Sequence, residues 1–244
     1  MSSRTNTRRR PPPSPPPNRN RTWIVLGGIA AVVVVAVIVA VVASGGSDSS
    51  SSSSKGGGGH SGTPVEVAPV KVTGTPLPDF PASGADKAIG LTVPTLTGRS
   101  LFDGTSMTIA PTGKPMAIVY LAHWCPHCQA EVPRIVALAK AGKLDGIDVF
   151  GVAAAGHKEL TNYPPSSWLE GEGWPFPTMV DSAQSTAAAA YGLTGYPYFL
   201  LVDAQGKVVA RAEGELDDSD IIAAVKALAA GKSADLSGGA SSSK

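Results

Sequence analysis

His123-Trp124-Cys125-Pro126-His127-Cys128 is the stretch on which the fold turns. It holds both cysteines of the 244-residue chain, at C-x-x-C spacing. The run before it, Met116-Ala117-Ile118-Val119-Tyr120-Leu121-Ala122, is continuously apolar and predicts a buried strand. After it, Val132, Ile135, Val136, Leu138 and Ala139 recur with helical spacing, and Gly142 closes the pattern. The cysteine pair therefore falls where a strand ends and a helix begins. A helix N-terminus offers unpaired N–H groups and a partial positive charge, a setting that favours sulfur in its thiolate form. A reactive thiolate with a second thiol three residues on is the chemistry of disulfide exchange. Two other readings of the pair stay open. A structural disulfide closing so short a loop stabilises little. A metal site would need ligands beyond the pair, and only His123 and His127 stand close in sequence.

Outward from this stretch, the folded domain is expected over residues 82–232. A second strand is predicted over Ile147–Ala154, a short helix around Trp168 and a short strand over Thr178–Val180. An alanine-rich helix follows over Gln184–Tyr191. Tyr198–Val202 and Lys207–Ala212 form a hairpin about Asp203-Ala204-Gln205-Gly206, and a last helix covers Ile221–Ala230. Helical crossovers make parallel strands and the hairpin an antiparallel edge. The fold class is thus α/β, a mixed sheet with helices on both faces.

The flanks carry no core. Residues 1–22 hold six arginines, no acid and two proline triplets, and read as a disordered cytoplasmic tail. Trp23 to Ala43 is free of charge and, at 21 residues, about 31 Å long as a helix, enough to cross a bilayer. Arginines on its N-terminal side place that end in the cytoplasm and the remainder outside. The span exceeds the h-region of a cleaved signal peptide, so an uncleaved anchor is expected. Residues 44–81 read as a Ser/Gly/Pro-rich extracytoplasmic linker and 233–244 as a disordered tail. Setting the six arginines aside from the 20 basic residues leaves 14 against 19 acidic ones. An acidic body of this kind argues against nucleic-acid binding. The expected location is the cell membrane, single-pass, with the working domain extracytoplasmic.

These residues resemble a known family. Trp124-Cys125-x-x-Cys128 at a strand–helix junction, with Pro133 inside the helix, is similar to thioredoxin. Cys128-Gln129-Ala130-Glu131-Val132-Pro133 resembles the membrane-tethered bacterial TlpA/ResA-type thioredoxins, and Tyr196-Pro197-Tyr198 resembles that fold's cis-proline segment. The resemblance implies a thioredoxin-like fold and a thiol-disulfide oxidoreductase. Cys125 would be the attacking thiol and Cys128 the resolving one. Glu131 would move a proton to or from the buried sulfur, and a cis bond would join Tyr196 to Pro197. Trp124 would shield the pair and line the substrate surface. His123 and His157 are expected at the surface. The redox-active Cys125–Cys128 disulfide would need no other cofactor and no metal.

Two departures bear on the direction of electron flow. Pro126-His127 between the cysteines matches the disulfide-forming DsbA type, with His127 placed to act on the sulfur of Cys125. Val119 stands where thioredoxin has a buried aspartate. Both lean toward a dithiol oxidase. Glu131 leans the other way, toward a reductase serving apocytochrome c maturation. A copper-delivery protein on the same fold, using His157, is a third reading. The implied partners are thiols or disulfides of exported proteins and a membrane redox partner that resets the pair, with the protein acting as a monomer.

Overall fold

The computed structural model describes residues 62–236. The expected anchor at Trp23–Ala43 and the tail at 1–22 lie outside them. No helix among the described residues is long and apolar enough to cross a membrane.

Strand β4 (Met116–Leu121) is buried at every position, as its uninterrupted apolar run requires. It pairs in parallel with β5 (Asp148–Ala153), and β5 pairs in parallel with β6 (Thr178–Val180). On its other side β4 meets β7 (Tyr198–Val202) antiparallel, and β7 carries β8 (Val208–Glu213) as its hairpin partner. Beyond β6 the sheet is extended antiparallel by β2 (Thr95–Ser100), which also pairs with β1 (Lys71–Thr73) and β3 (Ser106–Ile109). The order β1-β2-β6-β5-β4-β7-β8, with β3 on β2, puts β4 near the centre. Burying a strand side chain such as Ile118 contributes about 1.5–3 kcal/mol, which is why this run fixes the middle of the sheet.

Side chains alternate across the sheet. Ala117, Val119, Phe199 and Leu201 share one apolar pocket with Ile135 of helix α1 (Pro126–Lys140) and Ile221 of helix α4 (Asp218–Ala229). Val119 packs there as a plain apolar residue. The opposite face sends the hydroxyl of Tyr198 to the Tyr191 carbonyl at 2.8 Å, in helix α3 (Thr186–Tyr191). The remaining helix, α2 (Pro165–Glu172), surrounds Trp168 as expected. The mixed α/β sheet with helices on both faces is as the sequence predicts.

The ordered body starts earlier than Ala82. Strand β1 joins the sheet at Lys71, and Ala68 and Leu77 are buried. This corrects the reading of 63–81 as linker: spaced valines and prolines there mark an edge strand and extended packing rather than a tether. At the other end Ala234 and Leu236 are buried, so the body runs past residue 232. Arg211 binds the N-terminal segment to the hairpin. Its guanidinium pairs with Asp86, donates to the Pro78 carbonyl at 2.9 Å and lies 5.5 Å over the Phe80 ring.

Candidate active site

The site is built at the C-terminal end of β4. Cys125 is the N-cap of α1, with extended backbone (φ −81°, ψ 120°), and its carbonyl accepts the first helical hydrogen bond from Gln129 at 3.1 Å. Pro126 occupies the first turn, where a missing N–H costs nothing. Cys125 keeps 7% exposure and Cys128 none. Both are free thiols. The Sγ of Cys128 accepts from the Ala122 N–H at 3.4 Å. Burial pushes the Cys128 thiol far up, with neighbouring Cys125 and the Glu131 charge adding to it.

The peptide bond between Tyr196 and Pro197 is cis, as the resemblance implies. The Tyr196 carbonyl lies 3.7 Å from Cys125 Sγ, which donates to it. Trp124 packs edge-on against the Tyr196 ring at 5.4 Å and against His157 at 6.3 Å. The outer thiol thus meets the Tyr196 carbonyl, and the Tyr196 ring packs on that of Trp124, the residue before Cys125. Burial, the Asp181 charge and the two cysteines push the Tyr196 phenol up to about 12, so it stays protonated. A second cis bond, Tyr163–Pro164, was not anticipated.

Glu131 is fully buried. Helical periodicity forces it there, because Cys128, Glu131, Val132, Ile135 and Leu138 form one stripe on the covered face of α1. Desolvation pushes its carboxyl up to about 7, against the lowering effect of Arg134. Its Oε2 accepts from Arg134 at 3.0 Å, and its Oε1 is buried without a partner.

Two expectations are corrected. His127 does not turn to the sulfur of Cys125. Its ring is exposed, and Nδ1 meets Glu215 Oε1 at 2.6 Å. In the first helical turn its Cβ points outward, and a carboxylate from the segment before α4 offers the stronger partner. His123 is not at the surface but buried. Its Nδ1 donates to the Thr161 carbonyl at 2.6 Å and its Nε2 accepts from the His157 N–H at 3.1 Å. These partners require the neutral ring, and burial accordingly lowers its pKa. His157 is exposed beside Trp124 as expected. Among the described residues, no three His, Cys, Asp or Glu side chains are grouped to hold a metal ion.

Several residues that matter here carry no sequence signal of their own. Glu213 Oε1 accepts from the Thr194 N–H at 2.7 Å, the Thr194 hydroxyl at 2.6 Å and the Gly195 N–H at 2.6 Å. It thereby holds the loop that presents Pro197, whose carbonyl accepts from the Gly214 N–H at 2.9 Å. That loop leaves α3 at Gly192, where φ is +68° and a Cβ would collide with the Pro78 carbonyl. Asp181, buried at the end of β6, accepts from the Tyr120 hydroxyl and from the Ala187 N–H at 2.8 Å, joining β4 to α3 behind the site.

The geometry has counterparts among known proteins. The chain is 29% identical over 142 residues to the thiol:disulfide interchange protein DsbE of Pasteurella multocida, spanning 57% of this chain and 74% of that protein. It is 27% identical over 103 residues to the thiol-disulfide oxidoreductase ResA of Bacillus anthracis, 42% of this chain and 57% of the relative. A solved structure of an uncharacterized conserved protein from Geobacillus kaustophilus superposes with a TM-score of 0.51 at 23% identity, covering 68% of this chain and 88% of the other, and shares the fold. The family model described as Redoxin matches residues 74–228, from just after β1 almost to the end of α4 and with both cysteines inside. A free cysteine pair at a strand–helix junction, a facing cis-proline and a match over more than half of the length agree: the chain belongs to the redoxin family, as a thiol-disulfide oxidoreductase of the TlpA/ResA-like kind.

Proposed function

We propose that this oxidoreductase works as a reductase of disulfides in exported proteins, apocytochrome c among them. The observation that carries the reading is the buried Cys128–Glu131 pair on one stripe of α1. A pair is a strong oxidant when its reduced form is stabilised as thiolate. Here burial and the Glu131 charge both disfavour the Cys128 thiolate, which moves the balance toward the disulfide and makes the dithiol the better reductant. His127 does not offset this, since its ring is engaged by Glu215.

In the proposed reaction, Cys125 Sγ as thiolate attacks a substrate disulfide. One S–S bond forms to Cys125, and the departing substrate sulfur takes a proton. Cys128 passes its proton to Glu131 and attacks Cys125 Sγ. The mixed disulfide breaks, the second substrate thiolate leaves, and two electrons have moved to the substrate. A carboxyl near 7 suits this transfer at neutral pH. A dithiol partner at the membrane returns two electrons and two protons to the Cys125–Cys128 disulfide. The uncharged span Trp23–Ala43 supports an anchor that keeps this domain outside the cell membrane.

Equilibration of the soluble domain with glutathione tests the reading. A potential near the −270 mV of thioredoxin, about 150 mV below the DsbA type, is expected. A value close to about −120 mV would return the assignment to dithiol oxidase.

A further inference from the structure

Arg134 lies one helical turn beyond Glu131 and makes every polar contact of its guanidinium within a single cluster. Its Nη1 donates to Glu131 Oε2 at 3.0 Å. Its Nη2 donates to the Leu216 carbonyl and, at 2.7 Å, to Asp218 Oδ1, which also accepts from Nε at 3.0 Å. The planar fork is thus filled on one side by the start of α4 and on the other by one oxygen of a buried carboxylate. The second oxygen, Glu131 Oε1, is left buried and unpaired. An unpaired buried acceptor costs about 1–3 kcal/mol, so a protein that keeps one here keeps an open proton position beside its inner thiol.

We propose that Arg134 is the positioning residue of this site: it anchors one oxygen of Glu131 to the first residues of α4 and leaves the other free for the proton of Cys128. The inference rests on the reading of Glu131 as proton carrier. Five groups act on Glu131. Arg134 and Cys128 come from its own helix, and the Leu216 backbone, Glu215 and Asp218 from the segment opposite, the Leu216 backbone favouring the carboxylate alongside Arg134. Arg134 is the cation among them. Asp218 and Glu215 are partly drawn off by their own partners, Arg134 and His127. Substituting Arg134 therefore does two things. It removes the charge that favours the Glu131 carboxylate, and it releases Oε2 from its fixed direction.

The test compares Arg134→Met, Arg134→Lys and Asp218→Asn with the parent domain. The Glu131 carboxyl is followed through its titration by 13C NMR, and the pH–rate profile of disulfide exchange is recorded on the same samples. Arg134→Met is expected to raise the Glu131 midpoint by about one pH unit or more, the effect of losing a neighbouring guanidinium. The alkaline rise of the exchange rate should move with it. Arg134→Lys should lie between Met and the parent. Asp218→Asn keeps the guanidinium in place and removes a charge that disfavours the Glu131 carboxylate, so its midpoint should lie at or below that of the parent, a comparison that stands even where Arg134→Met fails to fold. An unmoved Glu131 midpoint in folded Arg134→Met and Arg134→Lys overturns the proposal. A midpoint that moves while the rate profile stays fixed upholds the hold of Arg134 on Glu131 and overturns the proton-carrier role of Glu131 instead.

Discussion

Nδ1 of His127 lies 2.6 Å from Oε1 of Glu215, 88 residues further along the chain. The dipeptide between the two cysteines is thereby tied to the segment before α4 and not to the sulfur. An exposed pair of this kind is worth about 0.2–1 kcal/mol. For a two-electron couple, about 30 mV corresponds to 1.4 kcal/mol, so its leverage on the potential is at most about 20 mV. The separation between thioredoxin and the DsbA type is about 150 mV. On the proposed reading, Pro-His at this position is therefore not what sets the direction of electron flow. Glu215→Gln should raise the potential of the Cys125–Cys128 pair by no more than about 20 mV, and His127→Ala should lower it by a similar amount. A fall of 100 mV or so in His127→Ala would restore the histidine to control of the sulfur.

Glu131 makes stability depend on pH in a direction opposite to an ordinary paired carboxylate. Its folded-state carboxyl is pushed up to about 7 from a value of 4.5. Between these values the folded chain holds a proton that the unfolded chain has released, so stability falls as pH rises through this window. The ceiling on the effect is roughly 3 kcal/mol, the value of a shift of this size. Glu131→Gln should erase that part of the dependence. Denaturant unfolding at pH 4.5 and pH 8 should show the variant gaining on the parent at the higher pH and not at the lower. Equal differences at both would mean that the folded-state carboxyl titrates normally.

The sequence made the strand–helix junction legible because both of its signals are local: an unbroken apolar run, then a 3.6-residue stripe. The same stripe contained the clue to Glu131, an acid placed among Val132, Ile135 and Leu138, and the resemblance gave it a purpose. What stayed hidden is long-range pairing. Nothing around Glu213, Glu215 or Arg134 distinguishes them from ordinary surface charges, because their partners stand 18, 88 and 82 residues away along the chain. His123 was hidden for the same reason, since its buried site exists only once residues 157–161 fold over it. The early start of the body at β1 was missed because a three-residue edge strand among prolines has no period to read.

Glu213 is expected to govern substrate engagement without touching the thiols. One of its oxygens collects three hydrogen bonds from Thr194 and Gly195, just ahead of Pro197. Bonds to a charged acceptor contribute about 1.5–3 kcal/mol net when buried, and less where water competes, so removing them should loosen the loop whose carbonyl at residue 196 faces Cys125. Glu213→Ala should raise KM for a protein disulfide several-fold, while the rate at which Cys125 reacts with a small thiol reagent stays at the parent value. Glu213→Gln, which keeps an acceptor oxygen, should fall between the two. A loss of small-reagent reactivity equal to the loss on protein substrates would instead assign Glu213 a general part in folding.

His123 gives the site a second and opposite pH dependence. Its neutral ring accepts the His157 N–H at Nε2 while Nδ1 holds the Thr161 carbonyl, so residues 157–161 are fastened beside Trp124. Burial lowers the pKa of this ring from 6.5. A depressed histidine contributes stability that is present above the unfolded value and lost as pH falls through the folded one. Protonation puts a hydrogen on Nε2, where His157 already donates, and the two donors repel. Amide exchange at His157, expressed as a protection factor, should therefore be high near pH 7.5 and collapse below the folded-state pKa, while the amides of β4 stay protected. His123→Asn should abolish the step and leave His157 weakly protected at all pH values. Protection at His157 that is flat from pH 7.5 to pH 4 in the parent would show that the ring does not hold the loop.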